Sequence, residues 1–192
     1  MKKILIIITI FFSTISTISA EEIKRIFVGD KDAKITIIAY ESLTCSHCAN
    51  FHKDVYPELK KNYLDTGLAK IEFRHFPLDI AAFNASKVSQ CNNDGDSKIL
   101  NSLFANQQKW VKGSSIQEAN ENLKKFLVSE GYNVDFEKCI NDKEIEDFVL
   151  NDRIDGVKKF KVNATPTIII NNEKFEKTLN YKNLKKALEK LI

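Results

Sequence analysis

The chain has 192 residues, 43% of them hydrophobic and 29% charged. That balance excludes a disordered chain and a multi-span membrane protein. Twenty-nine basic side chains against 26 acidic ones give +3, too even for a nucleic-acid surface or a polybasic membrane patch.

Met1-Lys2-Lys3 is a short basic start, followed by Ile4 to Phe12 (ILIIITIFF) and a Ser/Thr/Ile stretch ending at Ile18-Ser19-Ala20 before Glu21-Glu22. A basic start, an apolar core and a small residue before a charged end describe a cleavable secretory signal peptide over residues 1–20. The alternative is an uncleaved anchor, but the apolar run is nine residues and a spanning helix needs roughly 20. Cleavage leaves 27 basic against 26 acidic side chains. Export also places the four cysteines in an oxidising compartment.

Lys34 to Tyr40 (KITIIAY) reads as a buried strand. Cys45 to about Leu64 is helical, with Phe51, Val55 and Leu59 four apart and Pro57 expected to kink it. Lys70 to Phe76 alternates as a second strand. From Leu78 to about Val162 the pattern is helical, broken at Asn93-Asp94-Gly95-Asp96. Ser115-Ile116-Gln117-Glu118 is a capping box, and Gly131 closes the helix it opens. A short segment from Val134 to Asn141 carries Cys139, and Glu144 to about Lys161 has near-helical spacing. Thr165 to Ile170 is a strand preceded by proline, Asn171-Asn172-Glu173 turns the chain, and Lys174 to Thr178 returns antiparallel. Tyr181 to Leu191 is a final amphipathic helix. The strands on either side of the helical block build one sheet, because neither set has enough strands alone.

The chemistry concentrates at Cys45-Ser46-His47-Cys48. A helix start offers free N–H groups and partial positive charge, which favour a thiolate on the first cysteine. His47 favours it further. A stabilised thiolate stabilises the dithiol, so the disulfide becomes the stronger oxidant; about 30 mV corresponds to ~1.4 kcal/mol. Cys45 is then the exchanging sulfur and Cys48, one turn in, the resolving thiol. Two alternatives stand beside this: a structural disulfide, which so short a loop makes a poor staple, and a metal site using Cys45, Cys48 and His52, for which no further ligand pair is present. His52 and His75 by themselves read as helix-surface or core-edge histidines. Thr165-Pro166 fits a strand start, with Pro166 either trans or cis. Cys91 and Cys139 are predicted to pair as a structural disulfide tying two helices, the alternative being two buried thiols.

Together KITIIAY, ESLTCSHCANFH, the kinked helix, the helical block and VNATPTIIIN resemble the DsbA-like thiol:disulfide oxidoreductases of the thioredoxin superfamily. The resemblance implies an α/β thioredoxin-like fold over residues 21–77 and 145–192, with an inserted helical domain over 78–144. It implies a disulfide donor with no cofactor beyond its redox-active cysteines and no metal. The resemblance further implies that the substrates are unfolded exported proteins in the periplasm and that a quinone-linked integral-membrane partner reoxidises the enzyme. It carries Cys45 over as nucleophile, Cys48 as resolving thiol, His47 as thiolate stabiliser and Thr165-Pro166 as the cis-Pro loop facing the disulfide. Ser46 stands where the family often has proline. Many relatives carry an acidic residue six positions before the first cysteine, where this chain has Ala39; Glu41, two further on, reads as an exposed strand-end carboxylate or as a substitute. A reductase or isomerase of the same fold, and a non-catalytic exported binding protein, are the competing functions. A monomer is expected.

Overall fold

The computed structural model describes residues 22–192. The signal-peptide reading of residues 1–20 lies outside them.

A five-stranded sheet forms the centre, in the order β1-β3-β2-β4-β5. The central strand β2 (Ile35–Glu41) is buried along nearly its whole length, which is why its sequence runs continuously apolar rather than alternating. It lies parallel to β3 (Ala69–His75), with Ile37 opposite Ile71 and Glu41 opposite His75. On its other edge β4 (Thr167–Ile170) runs antiparallel, placing Tyr40 opposite Thr167. Asn171 and Asn172 both adopt positive φ, 45° and 70°, as a two-residue hairpin turn requires. The returning strand β5 is only Glu173–Lys174, with one further bond from Phe175 N–H to Ile168 O, shorter than the expected return to Thr178. The strand β1 (Phe27–Gly29), antiparallel to β3, has no counterpart in the sequence reading.

The helix after β2 divides as Pro57 dictates. Helix α1 (Ser46–Asp54) stops before Val55, and α2 (Tyr56–Leu59) starts with Pro57 in its first turn, where a missing N–H costs least. A widened turn over Lys60–Leu64 ends the segment, closed by Asp65 N–H on Lys60 O. Between β3 and β4 come α3 (Ile80–Gln90), α4 (Lys98–Ala105), α5 (Gln107–Trp110), α6 (Ile116–Ser129), α7 (Phe136–Asn141) and α8 (Lys143–Phe160). The cap of α6 differs from the expected box in one contact. Ser115 Oγ accepts from Glu118 N–H, but the Glu118 carboxylate takes the N–H and hydroxyl of Ser114, not the N–H of Ser115. A disulfide joins Cys91 to Cys139, tethering the end of α3 to α7.

One face of the sheet packs on α1, α2 and α9 (Tyr181–Leu188) in the larger core, which continues into α4, α6 and α7. The other face carries Ile38, Tyr40 and Ile169 with Phe76 and Val162, and α8 lies across it. Gly156 in α8 permits this approach: a Cβ there would sit 2.8 Å from Tyr40 Cε1. The fold thereby brings the C-terminal end of β2, the start of α1 and the start of β4 to one place.

Candidate active site

Cys45 occupies the N-cap of α1 in extended conformation, φ −78° and ψ 119°. That position ordinarily holds a Ser, Thr, Asp or Asn whose oxygen accepts from the second or third N–H of the helix. Here a sulfur stands in the slot. The neutral thiol makes no capping bond, but the N–H groups of His47 and Cys48 favour the thiolate. The largest effect is the thiol of Cys48, which donates to the Cys45 sulfur; burial opposes it, and Thr165 and the two backbone N–H groups add to it, holding Cys45 at about 5. Cys45 is half-buried and Cys48 fully buried, and neither is bonded to the other. Burial first, then the hydrogen bond to Cys45 and the charge of Glu41, push the Cys48 thiol strongly upward.

The peptide bond Thr165-Pro166 is cis. Cys45 Sγ donates to the Thr165 carbonyl at 3.4 Å. The Thr165 hydroxyl is buried and has no hydrogen-bond partner while Cys45 is a thiol. The two groups act oppositely: the carbonyl, as acceptor, favours the thiol, and the side chain favours the thiolate. Thr167 Oγ1 donates to Ala164 O at 2.7 Å, bracing this loop. His47, exposed, lines a groove with Phe51, Val55, Thr165, Pro166 and Tyr181. The part of His47 that reaches the sulfur is its backbone N–H.

The loop before Cys45 is held from the helical segment. Gln107 Nε2 donates to Leu43 O at 2.8 Å and to Cys45 O at 2.9 Å. Thr44 Oγ1 donates to Asp79 Oδ2 at 2.7 Å, and Leu78 N–H to Ser42 Oγ at 3.3 Å. Sequence reasoning missed Gln107 and Asp79; the N-cap position of Asp79 before α3 is the one local signal available.

The readings of Glu41, His52 and His75 are sharpened by the structure. Glu41 is not an exposed strand-end carboxylate: it is 4% exposed, because β2 runs one residue further than expected and its carbonyl takes Phe76 N–H at 2.7 Å. Of the two readings of His52, core-edge holds and helix-surface does not: its side chain is 6% exposed, its Nε2 lies 2.9 Å from Glu41 Oε2, and its ring stacks on Phe104 with centroids 4.1 Å apart. His75 is likewise buried, facing Gln90 Oε1 with Nε2 and donating its backbone N–H to Asp152 Oδ2. Among the described residues no group of three or more His, Cys, Asp or Glu side chains could hold a metal ion, and no helix is long and apolar enough to cross a membrane.

The thioredoxin family model matches residues 21–190. The structure is similar to the crystal structure of Wolbachia pipientis alpha-DsbA1, 30% identical with a TM-score of 0.77 over 87% of this chain and 90% of that one. A Rickettsia bellii protein assigned as a protein-disulfide oxidoreductase is 28% identical over 86% of this chain; the chain spans only 63% of that relative's length. The disulfide bond formation protein D of Bacillus subtilis is 25% identical over 85% of this chain and 75% of its own.

Proposed function

The chain belongs to the DsbA-like group of the thioredoxin family, and from that premise we propose that it is an exported thiol:disulfide oxidoreductase that donates the Cys45–Cys48 disulfide to other exported proteins. A substrate thiolate attacks Cys45 Sγ. The Cys45–Cys48 bond breaks, and Cys48 leaves with the electron pair and takes a proton. A second substrate thiolate attacks the substrate sulfur of the mixed disulfide, and Cys45 leaves as a thiolate. The substrate loses two electrons and the dithiol keeps them, until a quinone-linked membrane partner removes them. The periplasm is the compartment of this reaction, and residues 1–20 are the segment that would direct the chain there. Substrate chains would lie in the groove beside Thr165-Pro166 and His47.

The observation that supports this direction of electron flow is the pairing of a sulfur near 5 with a buried neighbour pushed upward. A stable Cys45 thiolate makes Cys45 the better leaving group and stabilises the reduced enzyme, so the oxidised enzyme gives its disulfide away. A reductase would want the reverse. The test is oxidation of a reduced, unfolded substrate by the disulfide form, alongside Cys48→Ala. The expected outcome is substrate oxidation by the wild type and a trapped Cys45–substrate adduct with the variant after Cys45 is activated as a mixed disulfide with a small thiol. Equal oxidation by Cys45→Ala would overturn the reading.

A further inference from the structure

The groove beside Thr165-Pro166 has a direction. Cys45 is the N-cap of α1, and Asp54 is the ninth and last residue of that helix. His47, Asn50, Phe51 and Asp54 fall at helical spacing on one face of α1, and all four line the groove. It therefore starts beside the reactive sulfur and runs the length of α1, with a volume of about 490 Å³. Phe51 and Val55, both buried, give it an apolar lining with Pro166, Leu179 and Tyr181. Asp54 does not suit this setting. It is exposed and ends α1, where the partial negative charge of the helix disfavours a carboxylate. It makes no hydrogen bond or ion pair with any described residue. Its neighbour Lys53 lines the separate cleft between α1 and α4. Among the described residues, no lysine, arginine or second carboxylate lines the groove. A cation or an amide at position 54 would serve the helix better, so helix stability does not account for the charge.

We infer that Asp54 selects among substrates, favouring chains that carry a lysine or arginine about four residues from the cysteine that attacks Cys45. The inference rests on the proposed reading of the groove as the seat of the substrate, and adds which chains that seat prefers. The spacing follows from the two backbones. Nine helical residues span about 13 Å at about 1.5 Å each. An extended chain covers that distance in about four residues at about 3.3 Å each. A cationic head at that point meets an unpaired carboxylate, while its methylene stem lies along the apolar lining. Low-dielectric walls screen this attraction less than open solvent does. A chain with glutamate or aspartate at the same point meets a like charge instead. Asp54 meets the flank of the substrate and not the reacting sulfurs. It is a specificity determinant and takes no part in the exchange.

The experiment isolates the approach of a peptide from the later steps. Cys48→Ala protein carries thionitrobenzoate on Cys45, and a peptide thiolate that attacks Cys45 Sγ releases it as a coloured thiolate. The peptides have one cysteine in an otherwise neutral sequence, with Lys, Gln or Glu four residues before or four residues after it. At low ionic strength the Lys peptide should react about five- to tenfold faster than the Glu peptide, from an attraction and a repulsion each worth up to about fivefold. The preference should appear on one arm only, since one end of the chain lies along α1. It should shrink in about 1 M salt, where the screening length is about 3 Å. Asp54→Asn, which keeps the shape and removes the charge, should lower the Lys:Glu ratio about threefold or more, and Asp54→Lys should take it below one. The ratio within each protein removes any general change in its reactivity, and comparing ratios between proteins removes differences among the peptide thiols. An unchanged ratio in Asp54→Asn overturns the inference. So does an equal preference on both arms, which is general attraction. If the groove seats no chain, every peptide reacts at the rate of free cysteine, and the reading beneath the inference fails with it. Peptides that react faster than free cysteine but without regard to charge overturn the inference alone.

Discussion

Gln107 donates its amide to the carbonyl of Cys45 at 2.9 Å, so a residue of the helical segment fixes the backbone of the reactive cysteine. The same carbonyl accepts the N–H groups of Cys48 and Ala49 as α1 begins. Gln107 also holds Leu43 O. The helical segment is therefore part of the active-site scaffold, since without it two carbonyls next to Cys45 lose a donor. Gln107→Leu keeps the bulk and removes both bonds. At about 0.5–1.5 kcal/mol each, the loss should be about 1–3 kcal/mol of stability. Urea unfolding of the reduced protein measures it, and an unchanged midpoint would show that the clamp contributes nothing.

Thr165 carries the second prediction. Its hydroxyl has no competing partner, so Thr165→Val removes a donor to the Cys45 thiolate and leaves the carbonyl, which favours the thiol. The Cys45 value, about 5 in the wild type, should rise, and the disulfide should become a weaker oxidant. The sign of the linked stability follows. The folded value lies below that of a free thiol, so the unfolded chain binds more protons between the two. The stability conferred by the thiolate is thus fully present above about pH 9 and is lost as pH falls through 5. Only the reduced form has this dependence. Thiolate absorbance against pH, with unfolding of the reduced and oxidised forms at pH 5 and pH 8, checks both parts; identical titrations in wild type and variant would remove Thr165 from the account.

What the sequence made legible were features whose cause is local. The β-branched run of β2, the caps at Ser115 and Gly131, the break at Pro57 and the Asn171-Asn172 turn each follow from side chains acting on their own backbone. The Cys45–Cys48 spacing with a strand before and a helix after was sufficient to locate the chemistry. Features that depend on distant partners were not legible. Gln107 and Cys45 are 62 positions apart, and nothing in the segment around Gln107 distinguishes it from a surface glutamine. Glu41 and His52 each carry the residue type of an exposed site, and only their mutual approach inside the fold explains their burial. Strand β1 was missed because three residues are too few for a period of two to register.

Gly156 supplies a prediction whose sign runs against helix propensity. In an exposed helix, Gly→Ala stabilises by about 1 kcal/mol. At position 156 the new methyl would meet the Tyr40 ring at 2.8 to 3.0 Å. Tyr40 is fully buried on the α8 side of the sheet, against Phe76 and Phe160, so it has little room to give. Overpacking typically costs about 1–3 kcal/mol, and the crowding should win. Gly156→Ala is expected to lower the thermal midpoint, with Gly156→Ser behaving likewise. A raised midpoint would mean that α8 can lift off the sheet at little cost.

Asp152 and His75 set the acid limb of stability. Asp152, 3% exposed, accepts Arg25 Nη1 on both oxygens at 2.7 and 2.8 Å and the backbone N–H of His75 at 3.0 Å. It therefore ties the segment before β1 to α8 and β3. Burial lowers the His75 value below the ordinary histidine range, against the attraction of Asp152 and the bond to Gln90. The unfolded histidine, near 6.5, then binds a proton that the folded one refuses. Stability is consequently retained above about pH 6.5 and declines as pH falls from there toward the lowered folded value. His75→Gln removes that titration, so its stability should fall less steeply than the wild type's between pH 6.5 and pH 5. Arg25→Ala leaves the Asp152 charge buried and unpaired and should cost about 3–5 kcal/mol at neutral pH, part of it recovered by Arg25→Ala/Asp152→Asn, in which the buried charge is gone. Chemical unfolding across this pH range gives both slopes and midpoints. Parallel slopes for wild type and His75→Gln would show that the acid limb arises elsewhere, and an Arg25→Ala variant as stable as wild type would show that Asp152 is satisfied by the His75 N–H alone.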